Sequence, residues 1–145
     1  MRSMPMSEIE ERLSDSLQAI LSVSRKERGP LAVPMSFLFA AGEFRMITSP
    51  DSQHGKLIRK TGRATMTIEA EDYGPRSVEQ WYVMAEGPIR FTDDDPVPLL
   101  RAVMEKDRGA EFLEEWVAQS LPNVLQVAIL TPETLSGYFG RSELD

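Results

Sequence analysis

The stretch Glu43-Phe-Arg-Met-Ile-Thr-Ser-Pro-Asp-Ser-Gln-His-Gly-Lys-Leu-Ile-Arg-Lys-Thr-Gly-Arg-Ala-Thr-Met-Thr-Ile68 sets the reading of the whole chain. Its first six residues alternate apolar and polar, the period of a half-buried strand, and end in hydroxyls at Thr48, Ser49 and Ser52 around a Pro50-Asp51 turn. A short basic segment follows, with Lys56, Arg59, Lys60 and Arg63 and no acid. Ala64, Met66 and Ile68 then alternate with Thr65 and Thr67 in a second strand. A hydroxyl-rich strand end that opens a basic helix can hold an anion through backbone N–H groups, hydroxyls and cationic side chains together. The competing reading is an ordinary solvated helix joining two strands.

Outward from this stretch the chain continues mainly as strands. Ser7-Glu8-Ile9-Glu10 has the form of a capping box, and Ile9, Leu13 and Leu17 follow at helical spacing, so a short helix is expected over residues 1–16. Leu17 to Ser24 continues as a strand, and the Gly29-Pro30 pair marks Arg25 to Pro30 as a turn. Leu31, Val33, Met35, Phe37 and Phe39 alternate up to an Ala41-Gly42 turn, with Phe44 to Thr48 as the return of a hairpin. Pro34 cannot donate to a ladder, which puts that strand at an edge or a bulge. Ser77 to Phe91 is the longest strand candidate, with a bulge or bend at Gly87-Pro88. Asp93-Asp94-Asp95-Pro96 caps a helical region at about 96–120 that breaks near Gly109 and stops at Pro122-Asn123. Val124 to Leu130 is the last strand, and the tail 140–145 is expected to fray. Six strands without regular β-α alternation predict a mainly β protein, an antiparallel barrel with peripheral helices, in a single domain spanning 1–145 with the barrel over 17–139.

Composition narrows the function. The 145 residues are 41% apolar, enough for a core without metals or disulfides. With no cysteine, thiolate metal sites and a thiol nucleophile are excluded, and the lone His54 disfavours an imidazole-rich metal site. A net charge of −7 argues against nucleic acid as a partner. The first twenty residues carry Glu8, Glu10 and Glu11 without an apolar signal core, and the longest apolar run is too short to span a bilayer, so no membrane association and a cytoplasmic location are expected. There is no Gly-x-Ser-x-Gly elbow, Walker loop, His-Glu-x-x-His or Rossmann fingerprint. If the protein is an enzyme, a cofactor carries the chemistry, and no catalytic side chain is named.

The order and spacing of five segments resemble the split barrels of the pyridoxamine 5'-phosphate oxidase-like family, whose members bind FMN or the deazaflavin F420. These segments are Val33-Pro-Met-Ser-Phe37, Ile47-Thr-Ser-Pro-Asp-Ser52, Lys60-Thr-Gly-Arg-Ala-Thr65, Tyr82-Val-Met-Ala-Glu-Gly87 and Leu130-Thr-Pro-Glu-Thr-Leu-Ser-Gly-Tyr138. The resemblance implies a six-stranded, flavin-reductase-like split barrel and a homodimer with the cofactor in a groove at its interface. The ring would lie near Pro34, Met35 and Ser36, and the phosphate at Thr48, Ser49, Ser52, Gln53 and His54. The family commonly has a basic pair where this chain has Gln53 and His54, and Lys56 stands half a turn further on. Tyr82, a further cofactor-contact candidate, and Met84 replace the glutamine and arginine of the oxidases proper, which counts against pyridoxamine 5'-phosphate as substrate and favours F420 over FMN. The carboxylate tail of F420 would find positive charge at Lys56, Arg59, Lys60 and Arg63. The activity implied is hydride transfer to a small electrophilic substrate, with FMN-dependent oxidation or non-catalytic binding of a cofactor or tetrapyrrole as alternatives. Met35, Met46, Met66 and Met84 are candidates for facing a flat ring, with core filling favoured for Met66. Trp81 and Trp116 are expected to be packing or dimer anchors.

Overall fold

Alternation at every second residue accounts for most of the ladder seen in the computed structural model, which describes residues 2–70, 80–108, 113–120 and 124–140. The elements are β1 (Arg2–Ser3), α1 (Met6–Asp15), β2 (Gln18–Arg25), β3 (Arg28–Ser36), β4 (Leu38–Ala40), β5 (Glu43–Thr48) and α2 (Gln53–Thr61), then β6 (Arg63–Glu69), β7 (Trp81–Phe91), α3 (Pro96–Arg108), α4 (Leu113–Ser120), β8 (Gln126–Leu130) and β9 (Thr134–Phe139). Every ladder is antiparallel, and the strand order is β3-β2-β6-β7-β8-β5-β4, with β9 pairing both β7 and β1. The two ends of this path, β3 and β4, are consecutive in the chain and separated only by Phe37, so the sheet wraps without closing. That is a split barrel. Its interior takes the inward positions of each strand: Leu21, Phe37, Phe44, Met46, Met66, Ile68, Val83 and Leu130 are fully buried.

The six expected strands correspond to β2, β3 with β4, β5, β6, β7 and β8. The strand expected from Leu31 to Phe39 divides at Phe37, whose ring enters the core against Phe44 at 5.6 Å, so β3 pairs with β2 while β4 pairs with β5. The β4–β5 hairpin turns where expected, at Ala41 (φ 53°) and Gly42 (φ 76°), the two left-handed positions that a type I′ turn requires. Pro34 does stand on an edge strand, since β3 ends the path and pairs only with β2. Among the described residues no helix is long and apolar enough to cross a membrane.

Four local expectations need correction. The capping box is absent: Pro5 is the N-cap and Ser7 lies inside α1. Strand β1 draws the chain against β9, with the Met4 N–H donating to the Gly137 carbonyl at 2.7 Å, so the helix starts earlier than the Ser7 signal. The first hairpin turns at Lys26 and Glu27 rather than at Gly29-Pro30, with Arg25 paired to Arg28 and Glu27 in the left-handed region at φ 60°. Gly29 and Pro30 belong to β3. Of the bulge or bend expected at Gly87-Pro88, the bulge is absent against β6, whose register runs through both residues. Instead β7 changes partners there, pairing with β9 over Trp81–Glu86 and with β8 over Ile89–Phe91. Gly87 allows this because a Cβ on it would lie 2.1 Å from the Thr131 carbonyl oxygen, where the link from β8 to β9 crosses. Finally, β9 went unrecognised because the central residue of its inner face is Gly137, pressed against Met4 and Ile9, so its apolar alternation is broken. The loop at Glu71–Arg76, the break at Gly109, the stop at Pro122-Asn123, the tail after Gly140 and the Trp116 side chain lie outside the described residues. Trp81 packs under the Arg12 guanidinium, 5.0 Å from its ring centroid, and ties α1 to the sheet.

Candidate functional site

Strand β5 delivers Thr48 to the barrel end with its side chain inward, and the chain then turns through Ser49, Pro50 and Asp51 into α2. Ser52 is the N-cap: its Oγ accepts from the Gly55 N–H at 3.0 Å and donates to the Ser49 carbonyl at 2.6 Å. The Ser49 Oγ accepts from the Asp51 N–H at 3.2 Å. Gly55 is required by this turn, because a Cβ there would meet the Ser49 carbonyl oxygen at 2.2 Å. At the other end Gly62 closes the helix in the left-handed conformation at φ 67°.

Of the hydroxyls expected to form an anion seat, Thr48 and Ser52 are engaged within the turn, whereas Ser49 Oγ accepts there. Thr48 Oγ1 shares a hydrogen bond of 2.5 Å with His54 Nε2, and Ser52 Oγ lies 3.2 Å from the same nitrogen. Burial lowers the His54 pKa below its usual value, so the imidazole is neutral at pH 7 and satisfies the buried Thr48. Open to an anion are the start of α2, where the Gln53 and His54 N–H groups precede the first intrahelical bonds, the Lys56 ammonium, and the Ser49 O–H, since that hydroxyl accepts in the turn and keeps its proton to donate.

Lys56 opens onto a cleft of about 440 Å³ lined by Arg25, Lys26, Arg28, Gln53, Lys56 and Leu57. The β2–β3 hairpin tip thus faces the first turn of α2 across a space whose lining holds four cations and no carboxylate. The four take part in none of the ion pairs among the described residues. Arg25 Nε donates to the Gly29 carbonyl at 2.7 Å, which fixes that guanidinium along the hairpin. Arg25, Lys26 and Arg28 are not among the site residues expected from the sequence. The signal in the sequence is three cations in the four residues Arg25-Lys26-Glu27-Arg28, but only the fold reveals that they meet α2.

Of the basic residues expected to surround a charged tail, only Lys56 lines this cleft. Arg59 leans over the Phe91 ring at 5.8 Å, and Arg63 pairs with Glu133 beside a separate cleft of about 180 Å³ lined with Ser22, Ser24, Thr65 and Glu86. Arg59 stands three residues beyond Lys56 on a neighbouring part of the helix face but lies over Phe91, and Arg63 already belongs to β6.

The ring-side candidates lie elsewhere. Pro34 is exposed and Ser36 half-buried on edge strand β3, while the Met35 side chain is in the core, leaving its backbone as the accessible part. Pro34 is about 20 Å along β3 from Arg28 at the ~3.3 Å rise of a strand. Met46 and Met66 also fill the core, whereas Met84 faces outward. Tyr82 sits on the outer face of β7 with its ring 5.4 Å from that of Tyr138. By the same rise it is about 30 Å along β7 from Phe91, the end that α2 touches, so Tyr82 and the cleft are not brought together within one chain.

No family model and no curated protein matches the chain in sequence. Solved structures do match in fold. A conserved hypothetical protein from Mycobacterium tuberculosis superposes with a TM-score of 0.75 at 19% identity, covering 95% of this chain and 86% of that one. An FAD and heme binding protein from Mycobacterium smegmatis gives 0.72 at 14% identity over 96% of this chain and 73% of that one. An F420 reductase gives 0.66 at 14% identity over 87% and 94%. The chain has the split-barrel fold of the pyridoxamine 5'-phosphate oxidase-like proteins.

Proposed function

We propose that this protein is a cytoplasmic, homodimeric oxidoreductase that uses F420, or alternatively FMN, to pass a hydride to a small electrophilic substrate. The observation that carries the reading is the cationic cleft between the β2–β3 hairpin and α2, on a fold in which similar structures include an F420 reductase and an FAD and heme binding protein. The residues fit a phosphorylated cofactor. Lys56 and the Gln53 and His54 N–H groups receive the phosphate, and the turn of Thr48, Ser49 and Ser52 holds those groups in place through its internal hydrogen bonds. Pro34, Met35 and Ser36 offer edge-strand backbone to a planar ring. When bound, the cofactor supplies the hydride chemistry, which asks of the protein only binding, orientation and exclusion of water.

The dimer is supported by one row across the outer face of the sheet. Pro34 pairs with Ile20, Ile20 with Thr67, Thr67 with Met84, and Met84 with Ser136. Ile20 and Met84 are 40% and 42% exposed, two of the few large apolar side chains left open to solvent. A second copy seated on this row would cover them.

Titration of the purified protein with F420, read by fluorescence, and with FMN and haem, read by absorbance, tests the reading. Saturable F420 or FMN binding supports it. Haem binding alone would favour the tetrapyrrole carrier, although the one histidine is already bonded to Thr48.

A further inference from the structure

The cleft holds more positive charge than one phosphate calls for. Lys56 and two backbone N–H groups are a sufficient seat for a single phosphate at a helix start. Arg25, Lys26 and Arg28 stand opposite, on a different element, and add three cations to the lining, with the one carboxylate of that turn, Glu27, outside it. In a protein of net charge −7 such a cluster is self-repelling, and a ligand with several negative charges relieves that repulsion. The hairpin conformation also concentrates the charge. Because the turn lies at Lys26 and Glu27, Arg25 and Arg28 are a directly opposed pair at its base, and Glu27 adopts a left-handed conformation ordinarily left to glycine or asparagine.

The geometry points to the β2–β3 hairpin tip as a second anion subsite, in which Arg25, Lys26 and Arg28 select ligands that carry further anionic groups beyond the phosphate held at α2. This rests on the cofactor reading of the same cleft and deepens it. The recognised chemistry is a flexible polyanion, supplied either by an oligocarboxylate tail, as in F420, or by a diphosphate, as in FAD. Helix α2 then sets whether a phosphate binds, and the hairpin sets how much negative charge may follow it.

The test compares the full-length wild type with a Lys26→Ala/Arg28→Ala double variant and with Lys56→Ala. Both substituted hairpin side chains are exposed, and Arg25, which holds the Gly29 carbonyl, is left in place. Dissociation constants are measured for FMN, FAD, F420 with one glutamate and F420 with several. The hairpin variant is expected to bind the polyanionic ligand at least tenfold more weakly, with a shallower salt dependence, while FMN affinity changes less than twofold. Loss on FAD alone identifies the diphosphate, and loss on long-tailed F420 alone identifies the oligocarboxylate. Lys56→Ala should weaken every ligand that binds. Equal weakening of FMN and the polyanions by the hairpin variant, or weakening of none, overturns the subsite even if the cofactor reading stands. If the wild type binds no cofactor, that reading fails by itself, and thermal shifts with inorganic phosphate and tripolyphosphate still decide the subsite. Greater stabilisation by tripolyphosphate that disappears in the hairpin variant supports it, and equal shifts in the two proteins overturn it.

Discussion

Substituting Gly55→Ala pits two effects of known sign against each other. Alanine in place of glycine within a helix is worth about 1 kcal/mol in propensity, so α2 considered alone gains stability. Against that, the new Cβ would sit 2.2 Å from the Ser49 carbonyl oxygen, 2.8 Å from the Pro50 Cα and 2.9 Å from the Pro50 carbonyl carbon. Relief requires a backbone shift of about 1 Å to reach normal contact distances. All three atoms are main chain, and the Ser49 carbonyl is held by the Ser52 N–H at 3.2 Å and the Ser52 hydroxyl at 2.6 Å. Overpacking of this kind costs about 1–3 kcal/mol, and disturbing the Ser52 cap adds roughly 0.5–2 kcal/mol. The clash wins, with a net loss of about 2 kcal/mol, on the order of 5–10 °C in Tm for a chain of this size. Urea and thermal denaturation of the two proteins measure it, and the variant should also bind the cofactor more weakly because the helix start is displaced. A Gly55→Ala protein as stable as the wild type or more so would refute the packing of α2 on the Ser49–Pro50 turn.

Three further outcomes follow from the same geometry. Lys56→Ala should weaken phosphate-bearing ligands by about 1–3 kcal/mol without lowering Tm, since one charge-assisted contact is lost at an exposed position; isothermal titration beside a melting curve checks both halves. Burial lowers the His54 pKa in the folded state, so the unfolded chain takes up a proton first as pH falls, and the contribution of His54 is complete above about pH 6.5 and declines below it. The stability advantage of wild type over His54→Gln should therefore shrink between pH 7.5 and pH 5.5, and an advantage that grows on acidification would contradict the assignment. Light scattering should find a dimer at micromolar concentration, with Met84→Glu shifting it toward monomer, whereas a monomeric wild type would remove the proposed interface.

The barrel was legible because its signal is local and repeated. Alternation in β2, β5, β6 and β7 depends on nothing beyond each strand's own residues, and the Ala41-Gly42 turn carries its chemistry in two letters. Elements shaped by distant contacts were harder to see. Gly137 hides the inner face of β9 because Met4 and Ile9 occupy the space a side chain would fill, and β1 pairing moves the start of α1 away from its Ser7 signal. The site shows the same division. Lys56 and the Thr48–Ser52 turn are contiguous in sequence and were identified there, but which hydroxyls bond one another depends on side-chain geometry that spacing does not encode. The basic hairpin joins the cleft only because β2 and α2 meet at one end of the barrel, a tertiary fact some thirty residues removed in sequence.

In the proposed function one cleft, bounded by the first turn of α2 and the β2–β3 hairpin, receives the anionic end of a redox cofactor. A crystal structure of the protein with bound F420 tests it most directly. The phosphate is expected within hydrogen-bonding distance of Lys56 Nζ and the Gln53 or His54 N–H, with the carboxylate tail directed toward Lys26 and Arg28. A cofactor whose phosphate and tail both lie away from this cleft would contradict it.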